Sequence, residues 1–124
     1  MASSLNHLRQ AQANEAFFEE IGADSASSPD WAMTALFYAA LHYAQAGFVH
    51  LLQSGAPSTH KDRRGVIRTR FRSIADDYEK LYNASRSARY DCVTPKREQL
   101  RDAKKLVKTI SDEIAKTAPP GSYL

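Results

Sequence analysis

The stretch PSTHKDRRGVIRTRFRS, residues 57–73, sets six Lys and Arg side chains against one Asp. Cations at that density can hold phosphate through charge-assisted hydrogen bonds, and an imidazole among them can move a proton. His60 stands three and four residues before Arg63 and Arg64, so on a helix the imidazole and one guanidinium share a face. That pairing makes His60 a candidate acid or base beside a cation able to stabilise phosphorane charge. The bland alternative is that His60 caps its helix or packs on the preceding one. Lys61, Arg64, Arg68 and Arg72 recur at spacings of three or four and form one stripe, whereas Arg63 lies at an angle that can turn it toward His60 and the interior.

A second group of the same chemistry follows in SRSARYD, residues 85–91, where Arg86, Arg89 and Tyr90 can hold a phosphate or brace a turn by pairing with Asp77 or Asp91. If the fold brings the two groups together, His60, Arg63, Arg64, Arg86 and Arg89 form one anion-binding cleft. If it does not, the basic run is the solvated side of a helix. His42 follows Tyr38 by four residues on a face that reads as interior, which suits a buried histidine with a hydrogen-bonded partner. The chain has no Glu-x-x-His pair, no His/Cys cluster with zinc spacing, and no Walker, Rossmann or nucleophile-elbow pattern, so neither a metal nor a cofactor is expected. Cys92 is alone, which excludes an intramolecular disulfide framework. Arg89, three residues before it, is the one hint of a redox role.

These residues need a scaffold, and the chain supplies helices. Its 124 residues suit one domain, and a charged quarter with only 5 Gly and 5 Pro argues for a folded helical unit. The formal charge of +3 is too small for a polycation, so placement of charge matters more than the total. No N-terminal apolar run resembles a signal peptide, so a cytoplasmic location is expected. The first helix runs from about Leu5 to Ile21, capped by Ser4, with Leu5, Leu8, Phe17, Phe18 and Ile21 inward and Gly22 at its end.

The second opens at Ser28-Pro29-Asp30, and from Trp31 to Leu52 it is apolar nearly all round, as a central helix must be. Trp31, Tyr38, His42 and Tyr43 are expected inside or at a subunit interface; His42, Gln45 and His50 make a membrane span a poor fit. Past Gly55-Ala56-Pro57, Ser58 or Thr59 caps a third helix whose inner stripe is Ile67, Phe71, Ile74, Tyr78, Leu81 and Tyr82. After a break near residues 89–93, Thr94-Pro95 starts a fourth, with Leu100, Ala103, Val107, Ile110 and Ile114 on one face, and the tail PPGSYL frays or docks. Short links between long helices favour an all-α, up-and-down four-helix bundle with room for a fifth short helix.

The blocks WAMTALFYAALHYAQA, PSTHKDRR and YEKLYNASRSARYDC, in that order, resemble the HEPN superfamily over residues 30–91. The resemblance implies a four- or five-helix bundle, usually a homodimer, acting as a metal-independent ribonuclease or as a nucleotide-binding or inactive partner, often in defence or toxin-antitoxin systems. The ribonucleases of that superfamily carry an Arg followed four to six residues later by His. Here His7, His42, His50 and His60 all precede Arg86 and Arg89, and none stands at that spacing after an Arg. The expectation is therefore a dimeric HEPN-like module that binds RNA or nucleotide phosphate through Lys61, Arg63, Arg64, Arg68, Arg86, Arg89 and Tyr90 without the nuclease chemistry. Two alternatives stand beside it: a nuclease or nucleotide-processing enzyme using His60, and a protein-interaction partner of a nucleotidyltransferase.

Overall fold

A computed structural model of the chain describes residues 2–22, 28–52 and 56–117. These form five helices and no strand: α1 (Ser4–Ile21), α2 (Pro29–Leu51), α3 (His60–Arg70), α4 (Arg72–Tyr90) and α5 (Arg97–Thr117). Gly55 and the tail lie outside the described residues. Local chemistry explains most of the ends. The Ser3 hydroxyl accepts from the Asn6 N–H at 3.1 Å, so the cap falls one residue before the expected Ser4. Ser4 is instead the first helical residue, buried, and donates to the Ala46 carbonyl at 2.9 Å. Gly22 closes α1 at φ 77°, in the left-handed region open to glycine, and its N–H reaches the Phe18 carbonyl.

Pro29 stands at the first position of α2, but the Ser28 side chain makes no capping bond. Thr59 caps α3 by accepting from the Asp62 N–H at 3.1 Å. Helix α5 begins two residues beyond Thr94-Pro95, with the Lys96 N–H held by the Gln99 side chain at 2.7 Å.

Helix α2 is the axis of the molecule, as its apolar circumference requires: Ala32 to Phe37, Ala39 to Leu41 and Tyr43 to Phe48 are buried. Helix α1 runs antiparallel to it, with Ser4 against Ala46 and His7 against His42. Helix α4 is antiparallel on another side, with Phe71 on Phe48 and Tyr82 on Phe37. Helix α5 lies parallel to α2. There Gly47 leaves room for the Ile114 side chain, from which a Cβ at that position would stand 3.2 Å. Leu100, Ala103, Val107, Ile110 and Ile114 are all buried, as their spacing predicts. Lys104 ties α5 to α1 through Glu15 at 2.9 Å, and the same carboxylate accepts from the Tyr43 hydroxyl at 2.5 Å. The four long helices thus alternate up and down. Among the described residues no helix is long and apolar enough to cross a membrane.

Other expectations are corrected. The single third helix is two helices, broken at Phe71, whose φ of −134° and ψ of 53° leave the helical region. Phe71 packs on Phe48 with ring centroids 5.2 Å apart, and the bend folds α3 back beside α4. Arg64 proves the fold-back: its Nε and Nη2 clamp Glu79 at 2.6 and 3.0 Å. Fifteen residues apart on one straight helix, the pair would be separated by about 22 Å. The break also removes Arg72 from the stripe formed by Lys61, Arg64 and Arg68. Phe17, placed on the inner side of α1, is half exposed; Trp31, expected inside or at a subunit interface, is 60% exposed on this chain and so is not inside it.

Candidate functional site

The fold-back of α3 places its first turn over the middle of α2 and the end of α4, and Phe37 is the hub on which they meet. The Phe37 ring is fully buried, with Tyr38, Tyr78, Tyr82 and His60 packed round it at centroid distances of 5.3 to 5.9 Å. Three of these are tilted or edge-on contacts between true aromatics, which fix orientation as well as bury area. The Arg89 guanidinium closes the ring of neighbours at 6.0 Å from the same centroid. An aromatic floor with cations and an imidazole above it is therefore built from three helices.

Arg63 is the most unusual member. It is 7% exposed, and among the described residues no carboxylate pairs with it. Its Nη1 donates to His60 Nδ1 at 3.2 Å, its Nε has no partner, and the nearby Tyr78 hydroxyl, also buried, has none. A buried guanidinium without a counter-ion is costly, and native interiors rarely leave one. Its charge is felt by its neighbours. Burial, then Arg63, holds His7 below the usual imidazole range; burial, then Arg63, Arg89 and Arg64, does the same to His60. His42 falls to about 4 through burial, the adjacent His7 and Arg63. Burial also pushes the Tyr78 hydroxyl up, although the Arg63 charge opposes it.

The His60 tautomer follows from its partner. A guanidinium nitrogen only donates, so Nδ1 must accept and the ring proton sits on Nε2. In this arrangement His60 has no free lone pair with which to act as a base. His7 and His42 form a second imidazole pair, Nδ1 to Nδ1 at 3.0 Å with the rings stacked at 5.2 Å, one nitrogen donating and the other accepting. His42 thus takes His7 as its partner rather than Tyr38, whose hydroxyl accepts from Arg89 Nη1 at 3.2 Å.

The sequence candidates divide on this geometry. His60, Arg63 and Arg89 come together. Arg64 lies beside them, stacked over Tyr82 at 4.6 Å, but its charge is taken by Glu79. Arg89 pairs with neither Asp77 nor Asp91; its Nε bonds the Ser85 carbonyl at 3.3 Å, and with Arg86 it flanks the exposed Tyr90 ring at 5.2 and 5.7 Å. Lys61 and Arg68 are exposed on the outer side of α3, away from the interior face that carries Arg63. Sequence reasoning missed His7, Tyr38, Tyr78, Tyr82 and Trp31 as members of the site. The spacing of Tyr38 and His42 was a usable signal; the 35 residues between His7 and His42 left none.

Three cavities open beside the cluster: one of about 540 Å³ lies between Pro29 and Asp30 at the start of α2 and Ala88, Arg89, Cys92, Val93 and Thr94, and two more lie along one face of α2. One of about 320 Å³ is walled by Gln10, Asn14 and Phe17 of α1 and by Trp31, Thr34, Ala35, Tyr38 and His42 of α2. The other, about 270 Å³, joins Trp31 and Thr34 to Asp30, Arg89 and Tyr90. Cys92 is exposed, at φ 56°. Among the described residues no group of three His, Cys, Asp or Glu could hold a metal ion. Compared with protein families, with curated proteins and with solved structures, the chain matches none.

The imidazoles make stability depend on acid. Because their folded-state pKa values lie below the ordinary 6.5, the unfolded chain binds more protons below neutrality. Their contribution is complete above about pH 7 and is lost as pH falls toward 4. Discounted for partial exposure, urea unfolding should show about 1–2 kcal/mol less stability at pH 5 than at pH 7, and His42→Leu should shrink that difference. A flat profile over this window would contradict the depressed imidazoles.

Proposed function

We propose that the protein is a HEPN-like binding module that takes a phosphate of RNA or of a nucleotide at His60, Arg63 and Arg89, without cleaving it. The observation that carries this reading is Arg63, a buried cation with no carboxylate partner among the described residues, bonded to a His60 ring that packs on the same Phe37 ring as Arg89. Guanidiniums are suited to phosphate oxygens, which accept charge-assisted hydrogen bonds in their fork geometry. The His60 Nε2–H supplies a further donor. Its Nδ1, engaged by Arg63, favours binding over proton abstraction. The three sequence blocks that resemble the superfamily supply α2, the first turn of α3 and the end of α4, the elements that meet here.

Fluorescence anisotropy of an end-labelled short RNA across a salt series tests the reading. Affinity should fall linearly on logarithmic axes as counterions are displaced. Arg89→Ala should weaken binding at least tenfold, whereas Arg64→Ala, whose charge Glu79 already neutralises, should change it less than threefold. The RNA should stay intact in the presence of chelator. Equal loss in the two variants would move the site to the outer stripe of α3, and cleavage abolished by His60→Ala would make the protein an enzyme.

A further inference from the structure

The cation cluster accounts for a phosphate but leaves the aromatic cleft beside it unused. Trp31 is 60% exposed and Tyr90 66%, an unusual outlay of aromatic surface on a chain with one Trp. Both border the smaller of the two cavities that Arg89 lines, so a group held by Arg89 on that side lies beside two open π-faces. Trp31 and Thr34 also border the cavity of about 320 Å³, which makes the two spaces neighbours along α2. Tyr38 links them to the cation cluster, since its ring lines the space of about 320 Å³ while its hydroxyl is held by Arg89. At the far end Gln10 donates to Asn14 Oδ1 at 3.3 Å, leaving an amide donor and an amide acceptor on adjacent turns of α1. Apolar walls, a cation at one end and amides at the other match a nucleotide: a base stacks on aromatic faces, amides read its edge, and the guanidinium takes the phosphate. A volume of about 320 Å³ lies at the small end of ligand sites, enough for one base and too small for a helix of a partner.

We propose that this cleft is a base subsite, in which a single nucleobase stacks on Trp31 with its phosphate on Arg89; the proposal rests on the phosphate reading above and names the ligand as one nucleotide unit. Asp30 borders the same space without pairing with Arg89, and its carboxylate limits how much negative charge the phosphate end accepts.

Because Trp31 is the only Trp, its emission reports stacking directly. Wild type is titrated with AMP and with ribose 5-phosphate, followed by Trp31 fluorescence and by calorimetry, and Trp31→Ala is followed by calorimetry alone. AMP should quench the emission and bind at least tenfold more tightly than ribose 5-phosphate, which should leave the emission unchanged. Trp31→Ala, exposed enough to keep its wild-type helical circular dichroism, should bind AMP no better than ribose 5-phosphate. A 5′-phosphorylated tetra-adenylate run beside AMP separates the sources: tenfold tighter binding assigns the end of an RNA strand, equal binding a free nucleotide. Equal affinity for AMP and ribose 5-phosphate with steady emission would overturn the base subsite and leave the phosphate reading standing. Binding of neither would sink both. Emission that changes with protein concentration alone would give the face to a second copy of the chain and overturn the proposal.

Discussion

Replacing Arg63 by Met should leave the fold at least as stable as the wild type, by up to about 1 kcal/mol, while removing phosphate binding. The Met side chain fills most of the same volume with no charge to desolvate, and exchanging a buried, poorly compensated ion for an apolar side chain of similar size is commonly neutral or stabilising. Against that gain stands one lost hydrogen bond, from Arg63 to His60 Nδ1, worth about 1 kcal/mol. Tyr78 loses a little as well, since the Arg63 guanidinium lies near its hydroxyl without meeting the geometry of a full hydrogen bond. The neighbouring imidazoles, freed of a cation, should also regain part of their ordinary pKa, so the acid sensitivity should weaken in the same variant. Urea midpoints at pH 7 and pH 5 give both readings. Destabilisation beyond about 2 kcal/mol would mean that Arg63 is structural and that its isolation from carboxylates has another explanation.

Phe37→Ala should cost about 3–5 kcal/mol, the range for emptying a fully buried aromatic position. The loss should exceed that of other core truncations such as Ile110→Ala, because Phe37 touches four ring systems from three helices and underlies Arg89 as well. Without it the first turn of α3 loses the ring under His60, while Ile67 and Phe71 still anchor the rest of the helix, so phosphate binding should fall along with stability. Phe37→Leu separates the two effects. It retains most of the volume and should cost under about 1.5 kcal/mol, yet it removes the edge-on contacts that orient Tyr38 and His60. An Ala variant that loses less than 1 kcal/mol would show that the hub is dispensable.

Periodicity revealed which faces are buried, and it is no accident that it missed the bend. Ile67, Phe71, Ile74 and Tyr78 keep helical spacing straight through Phe71, and neither Pro nor Gly marks the break. The residue leaves the helical region because Phe48, on another helix, offers its ring a better site than continued helix would. Arg63 was legible by angle alone, since a residue three after His60 and four before Ile67 must face inward with it. Its lack of a carboxylate was not, because Glu79 lies within reach of α3 only after the fold-back and then chooses Arg64. Cation and imidazole within one helical turn can be read from spacing; His7 with His42, or Arg89 with Tyr38 across 51 residues, exists only once α2 is surrounded. Exposure of Trp31 runs the other way. Its hydrophobicity argues for burial, and the cavities it borders are walled by α1 on one side and the end of α4 on the other, which no local pattern shows.

Thermal unfolding in sodium phosphate beside sodium chloride at matched ionic strength, on wild type and Arg63→Met together, tests the isolated cation most directly. A ligand that binds only the folded state stabilises it by about 2.7 kcal/mol at a hundred times its Kd, a shift of several degrees for a domain of this size. Phosphate also stabilises proteins without binding, through exclusion from their surface, and the Met variant measures that background. The account predicts a Tm that climbs with phosphate in the wild type by several degrees more than in Arg63→Met, and parallel curves for the two proteins would contradict it.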